Sequence, residues 1–322
     1  MPSAVAPLLS RQRELSESFL ANHPIDSLLL HFMKQAILVT AYRDLQSLVR
    51  LVSCFDEDFD FYIHIDKKCM EEMPDISGVQ VHTIRRYSVH WGSEKHLWAI
   101  MELFRMACLN GPYSYYHIIT ASDYPVRPIG EFKSFFSDQN DKIYVDFHQL
   151  PWGNWIGEGG LERIKYYWIG NQWFDFRTHK MTLTKKLLKI QRKMHFSRNM
   201  DAWPQWYGGL SYFSVPHDAA ESIASLPWRK VRRRTRFTHI AEEVFLQTML
   251  VNTFPPERLV NNPLRYTVWE GGASGPKVLT EDSFDSIVES GHYFARKFDP
   301  VVSAVLMERI DKHCGFHLQN NS

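Results

Sequence analysis

Two adjacent carboxylates, Glu242 and Glu243, open the run from His239 to Leu250, which is otherwise apolar at helical spacing. Phe245, Leu246, Met249 and Leu250 recur on one face, and Thr238 precedes the run where a side-chain N-cap belongs. The pattern predicts a buried helix beginning at Thr238 with an acid at its mouth. A carboxylate held at the rim of a core suits a general base that takes a proton from a hydroxyl. Two acids also complement the positive end of a helix dipole, so the pair alone does not separate catalysis from helix electrostatics.

Other chemically capable residues stand at the ends of apolar segments. Asp66 closes the strand-like run Phe59 to Asp66 and is followed by Lys67 and Lys68. Asp123 follows the run Tyr116 to Ala121 in a small-residue turn whose exit is pinned by Pro125 and Pro128. Gly208 and Gly209 precede another strand and let the backbone approach a ligand closely. Glu162 and Arg163 lie in a Gly- and aromatic-rich stretch suited to covering a polar ligand. Cations lie toward the C-terminal side. The run Arg229 to Arg236 is expected as a loop, either simply solvated or drawing an anionic substrate, and Lys277, Arg296 and Lys297 stand apart from it.

These residues need a scaffold, and the apolar periodicity supplies one. Gln35 to Ala41 is a continuous apolar run, as in a strand covered on both faces. Asp44 then caps a helix carrying Leu45, Leu48, Leu51 and Val52, and Phe59 to Asp66 returns as a strand, completing a βαβ unit. Val79 to Ile84 and Leu264 to Trp269 read as further strands, and Leu97, Ile100, Met101, Phe104 and Cys108 mark a helix. The expected architecture is one Rossmann-like α/β domain with a mostly parallel central sheet flanked by helices. Residues 1–32 read as an extension, 33–300 as the catalytic domain and 301–322 as a C-terminal helix or tail. In such sheets ligands bind beyond the carboxyl ends of the strands, so Thr40, Ala41, Tyr42 and Asp66 line one crevice.

Composition narrows the partners. With 37 basic and 36 acidic residues in 322, whole-chain charge gives no reason to expect a nucleic acid. Ten Trp and 14% aromatic residues suit sugar rings and nucleobases. Cys54, Cys69, Cys108 and Cys314 form no CxxC pair and no zinc-type spacing, so free thiols in a reducing compartment are expected. No GxGxxG follows the first strand and no GxxxxGK[ST] occurs, which argues against dinucleotide oxidoreductases and P-loop enzymes. No window is long and apolar enough to span a bilayer. The expected location is cytoplasmic, with the cationic amphipathic segment 182–194 as a candidate peripheral contact with the inner face of the membrane.

Six segments in order, Ile63-His64-Ile65-Asp66-Lys67, Trp91-Gly92, Thr120-Ala121-Ser122-Asp123-Tyr124-Pro125, Gly208-Gly209-Leu210-Ser211-Tyr212-Phe213, Glu242-Glu243-Val244-Phe245-Leu246-Gln247-Thr248 and Phe294-Ala295-Arg296-Lys297-Phe298-Asp299, carry a family resemblance. The chain resembles the core-2/I-branching glycosyltransferases, which include branching N-acetylglucosaminyltransferases and peptide O-xylosyltransferases. The resemblance implies a glycosyltransferase-A-type fold, a UDP-sugar donor, a glycan or glycoconjugate acceptor, and inversion without a metal ion. It implies Glu243 as catalytic base, Asp66 at the uracil or ribose, Asp123 near the transferred sugar, and Lys297 and Lys277 on the diphosphate. Trp269 and the Glu162-Arg163 segment fall where acceptor contacts are expected. The family prior favours N-acetylglucosamine as the donor sugar, with xylose next. The lack of paired cysteines and of an anchor looks like a bacterial cytoplasmic member, for which a cell-surface glycan is the expected acceptor.

The chemistry asks for the same residue types. Inverting transfer needs one carboxylate for the acceptor proton and positive charge for the departing UDP. Metal-dependent relatives use Asp-x-Asp, and Asp56-Glu57-Asp58 and Asp58-Phe59-Asp60 have that spacing, but they precede the second strand's core. Lysine and arginine are therefore the expected counter-charge. A metal-dependent transferase of similar fold and a non-catalytic UDP- or sugar-binding protein remain the competing expectations.

Overall fold

The structure, a computed structural model, describes residues 34–316 apart from Asn140, 177–180 and 271–274. The expected N-terminal extension 1–32 and residues 317–322 lie outside the described residues. A seven-stranded sheet organises the chain, in the order β10-β6-β9-β4-β1-β2-β3. Its strands are β1 Gln35–Ala41, β2 Phe59–Ile65, β3 Gln80–Ile84, β4 Tyr115–Thr120, β6 Ile143–Val145, β9 Phe213–Pro216 and β10 Leu259–Val260. Strand β9 runs antiparallel to β4 and β6, and the remaining pairs are parallel. A three-stranded sheet joins β5 Asp123–Pro125, β11 Arg265–Thr267 and β12 Phe294–Arg296, and β7 His148–Gln149 pairs with β8 Tyr207–Gly208.

Strand alternation explains why there are two cores. Ile37, Val39, Phe59, Phe61, Ile63 and Ile119 point to one face, while Ala36, Leu38, Tyr62, Tyr116 and Ile118 point to the other. Helices α1 Ser47–Ser53, α3 Ile129–Asp138 and α9 Ala304–Cys314 cover the first face, the last contributing Leu306, Met307 and Ile310, and the short helix 284–289 adds Ile287. On the second face lie α2 Lys95–Asn110, α5 His217–Ala224, α6 Trp228–Thr235 and α7 Phe245–Thr253. The cationic α4 Thr182–Lys193 and the short α8 Phe284–Glu289 complete the helices used below. Helix α2 buries Leu97, Ile100, Met101, Leu103 and Phe104, so truncating Phe104 to Ala would cost about 3–5 kcal/mol. The fold is the expected α/β arrangement, a mostly parallel sheet between helical layers.

Buried polar groups in the sheet are satisfied by partners from neighbouring strands. His117 on β4 bonds Ser214 Oγ at 2.8 Å and Gln35 Oε1 at 2.9 Å. Burial pushes its pKa down to about 3, so it remains neutral at ordinary pH.

Two local expectations are corrected. The run Arg229 to Arg236 is a helix, α6, and not a loop. Val231 and Thr235, four residues apart, face the core, and the charges between them hide that period. The helix expected from Thr238 begins later. Ala241–Glu243 form a 3-10 turn and α7 starts at Phe245. Thr238 makes no cap there, and its hydroxyl accepts a bond from Arg198 Nη1 at 2.9 Å. The break falls at Ile240, which adopts φ +49° and donates its N–H to the Gly92 carbonyl at 3.1 Å.

Candidate active site

The carboxyl ends of β1, β2 and β4 meet in one crevice. Thr40 on β1 is in register with His64 on β2 and Thr120 on β4. Asp66 closes β2, its N–H bonded to the Ala41 carbonyl at 2.8 Å. Its carboxylate accepts from Lys68 N at 2.8 Å, Lys68 Nζ at 2.9 Å and Val89 N at 3.1 Å, which ties residues 66–68 to the segment ahead of α2. The aspartates with metal-type spacing lie at the other end of the sheet. Asp56 and Asp58 both bond Lys133 Nζ at 2.7 Å, and Asp60 bonds Lys34 Nζ at 3.1 Å and the Tyr113 hydroxyl at 2.6 Å. Asp66 lies six residues along the strand from Asp60, a span of about 20 Å.

The 3-10 turn aims the two glutamates differently. Glu242 is buried, and its Oε1 bonds His96 Nδ1 at 3.0 Å, while His96 Nε2 bonds Thr40 Oγ1 at 3.2 Å. This chain links the turn to the end of β1. Glu243 is half-buried, and Arg163 Nη1 donates to its Oε2 at 2.6 Å. The Arg163 guanidinium stacks on Trp155, 3.8 Å from the ring centroid. Burial pushes the Glu243 pKa above the usual carboxylate range, the Arg163 charge opposes that shift, and the Glu242 charge reinforces it. A carboxylate so placed has raised basicity while an adjacent cation fixes its orientation.

Gly208 and Gly209 hold this turn from below. Gly209 N donates to the Glu243 carbonyl at 2.9 Å. A Cβ on Gly209 would come within 2.0 Å of the Asp146 carbonyl oxygen, and one on Gly208 within 2.5 Å of the Trp155 ring. Close backbone approach is real here, and the neighbours are protein groups.

A cation-rich cluster surrounds Asp123. Asp123 does not sit at an exposed turn tip; it begins β5 and is 2% exposed. It pairs with Arg265 Nε at 2.7 Å and Arg296 Nη1 at 3.1 Å, and its Oδ2 accepts from Thr120 N and Oγ1, both at 2.7 Å. Arg296 also bonds Thr120 Oγ1. The two guanidiniums pack on Tyr212, 4.5 and 4.8 Å from its ring centroid. Two positive charges thus face one negative charge, and Arg265 Nη1 and Arg296 Nε are buried without a hydrogen-bond partner among the described residues. Burial raises the pKa of the Tyr212 hydroxyl, and the Glu243 charge adds to that shift, so Glu243 lies within electrostatic reach of the ring on which both guanidiniums pack.

Lys297 follows Arg296 where Phe298 N bonds the Ser122 carbonyl at 2.9 Å. Lys277 lies on a neighbouring loop segment, its carbonyl accepting from Lys297 N at 3.4 Å and its Nζ pairing with Glu270 at 3.1 Å. Tyr42 is half-exposed at the end of β1, within electrostatic reach of Arg296. Trp269 is also half-exposed, just before Glu270. Glu162 is the outlier: its carboxylate pairs with Arg192 of α4, which turns it away from Glu243. Sequence reasoning did not single out His96, Arg265 or Tyr212. A charged residue inside the short apolar strand Arg265–Thr267 was the available signal for Arg265, because a buried arginine needs a partner.

Among the described residues no helix is long and apolar enough to cross a membrane. Human xylosyltransferase 2 is 23% identical over 301 residues, covering 85% of this chain and 32% of that protein. Xylosyltransferase sqv-6 of Caenorhabditis briggsae is 23% identical over 288 residues, covering 78% of this chain and 33% of that protein. Mouse xylosyltransferase 1 is 21% identical, covering 85% and 29%. The chain therefore spans about a third of the length of the curated relatives it matches. A solved structure described as "Crystal structure of S. aureus TarS 1-349" aligns with 35% of this chain and 34% of that one, at 12% identity and a TM-score of 0.25. Residues 36–288, more than three-quarters of the sequence, match the family described as Core-2/I-Branching enzyme, and with that match and the six ordered segments the chain belongs to that glycosyltransferase family.

Proposed function

We infer that this chain is an inverting, metal-independent glycosyltransferase that moves a sugar from a UDP-sugar to a hydroxyl of a glycan or glycoconjugate. The acceptor oxygen attacks the anomeric carbon, its proton passes to Glu243, and the bond from that carbon to the β-phosphate oxygen breaks with its electrons going to UDP. Arg163 holds one oxygen of the Glu243 carboxylate and leaves the other to meet the acceptor. The departing diphosphate gathers its charge against Lys297, Lys277 and the Arg296–Arg265 cluster, which supplies the stabilisation a divalent cation provides elsewhere. Asp66 and Tyr42 border the nucleoside end, Asp123 fixes the cations near the transferred sugar, and Arg163 and Trp269 flank the acceptor.

The observations that carry this reading are the half-buried Glu243–Arg163 pair and, within electrostatic reach of it through Tyr212, a cluster of two arginines around one aspartate. The excess positive charge there calls for an anion. The Asp56, Asp58 and Asp60 carboxylates are bonded to lysines and a tyrosine at the opposite end of the sheet, which weighs against them as holders of a catalytic cation. The relatives are named xylosyltransferases, which favours xylose over N-acetylglucosamine as the donor sugar.

A melting-temperature screen against UDP, UDP-xylose and UDP-N-acetylglucosamine, paired with a transfer assay, tests the reading. A ligand at 100 times its dissociation constant stabilises the fold by about 2.7 kcal/mol. UDP and one UDP-sugar should raise the melting temperature, and transfer should proceed in EDTA. Transfer abolished by EDTA and restored by Mn²⁺ would overturn the metal-independent mechanism. Binding without transfer or donor hydrolysis would leave a sugar-nucleotide binding protein.

A further inference from the structure

Seven of the fifteen large hydrophobic side chains exposed among the described residues fall between residues 169 and 196. Helix α4 explains how. At about 100° per residue, Leu183, Leu187, Ile190 and Met194 fall within an arc of about 60°. Leu183 is 69% and Met194 71% exposed. The buried stripe beside it is Thr184, Leu188 and Gln191. It docks on the body through polar bonds: Thr184 Oγ1 donates to the Ile169 carbonyl at 2.7 Å, and the Gln191 amide bridges both backbone groups of Tyr167 at 2.9 Å. The helix therefore shows a more apolar stripe to the outside than to the protein, the reverse of a helix serving only its own core.

Lys185, Lys186, Lys189, Arg192 and Lys193 take the remaining side of α4. Residues 182–200 carry six Lys and Arg and no acid, and so do residues 226–241, which include α6. The two segments are joined. Arg198 donates to the Arg234 carbonyl at 2.7 Å and to the Thr238 hydroxyl at 2.9 Å, and the Trp173 and Phe237 rings lie 6.1 Å apart. Twelve of the 37 basic residues are thus gathered in a chain whose net charge is +1. A polyanion such as nucleic acid would use the cations but has no use for a Leu, Ile and Met stripe flush with them.

We propose that α4, with Trp173 and Phe174, docks on an anionic lipid bilayer, the Leu183–Met194 stripe entering the headgroup boundary and the lysines meeting lipid phosphates. This is how interfacial helices divide their two faces. Arg192 pairs with Glu162, the neighbour of the Arg163 that holds Glu243, so docking sets the acceptor side of the crevice beside the membrane. The docking itself does not depend on the transfer mechanism, and only its placement beside the acceptor rests on the proposed function.

Co-sedimentation with phosphatidylcholine vesicles, with and without phosphatidylglycerol, tests it. The wild-type chain should partition onto the phosphatidylglycerol vesicles and release in high salt. Two triple variants separate the contributions, Leu183→Ser/Ile190→Ser/Met194→Ser and Lys185→Glu/Lys189→Glu/Lys193→Glu. Each should lose at least about tenfold in vesicle affinity, with melting temperature and the UDP-induced shift unchanged. No partition onto anionic vesicles overturns the proposal. So does a serine variant that binds like the wild type while the glutamate variant does not, because that describes a polyanion surface without insertion.

Discussion

Two carboxylate–arginine pairs, Glu243 with Arg163 and Asp123 with Arg265 and Arg296, differ in what surrounds them. Asp123 is shut away from solvent, shared by Arg265 and Arg296 and bonded twice to Thr120. Glu243 has one arginine and retains access to the crevice. Asp123 meets two arginines and Thr120 of its own chain, which makes it a brace that fixes two cations. The Glu243 carboxylate is steered by Arg163 on one side, which makes it a group positioned to accept a proton. The same ionic bond therefore braces the fold in one place and tunes basicity in the other, and the number of partners decides which.

The largest effect expected from breaking this contrast is on stability. Asp123→Asn keeps the volume but leaves two buried guanidiniums without counter-charge, which should cost about 3–5 kcal/mol in denaturant unfolding. A loss near zero would show that solvent reaches the cluster. Arg163→Gln should do little to stability and should change the pH profile. Glu243 is active only when ionised, so activity falls as pH drops through its pKa; Arg163 holds that pKa down, and its removal moves the acid limb to higher pH. An unmoved limb would detach Arg163 from the base. The smallest effect belongs to Lys133, whose partly exposed pairs with Asp56 and Asp58 lie at the far end of the sheet. Lys133→Ala should change stability by about 0–1 kcal/mol and leave transfer intact in EDTA and in Mn²⁺ alike. Transfer that becomes metal-sensitive would bring those aspartates into the chemistry.

Much of the scaffold was legible because its signal is local. Strands β1, β2 and β4 are apolar on both faces, so their composition alone marks central strands, and Asp66 stands out as the first acid after one of them. The antiparallel insertion of β9 between β4 and β6 has no local signature, since it depends on pairings about 70 and 100 residues away. The pairing of Asp123 with Arg265 and Arg296 is equally non-local. Helix α6 was misread because five cations in eight residues conceal two core contacts. The 3-10 turn at Glu242 and Glu243 follows from the Gly92 carbonyl capturing Ile240 N, a contact across some 150 residues that no helical period could reveal. The residue types of the site were readable, and their division of labour required the fold.

The central claim is that Glu243, and not its neighbour Glu242, takes the acceptor proton. Glu242 is buried against His96, which in turn bonds Thr40, whereas Glu243 is paired with Arg163 and remains partly exposed. Transfer rates of Glu242→Gln and Glu243→Gln, measured side by side with UDP-xylose and with UDP binding followed in parallel, test it most directly. The account predicts that Glu243→Gln loses roughly two to four orders of magnitude in kcat while binding UDP, and that Glu242→Gln keeps most of its turnover. Full turnover in Glu243→Gln, or the deeper loss in Glu242→Gln, would contradict it.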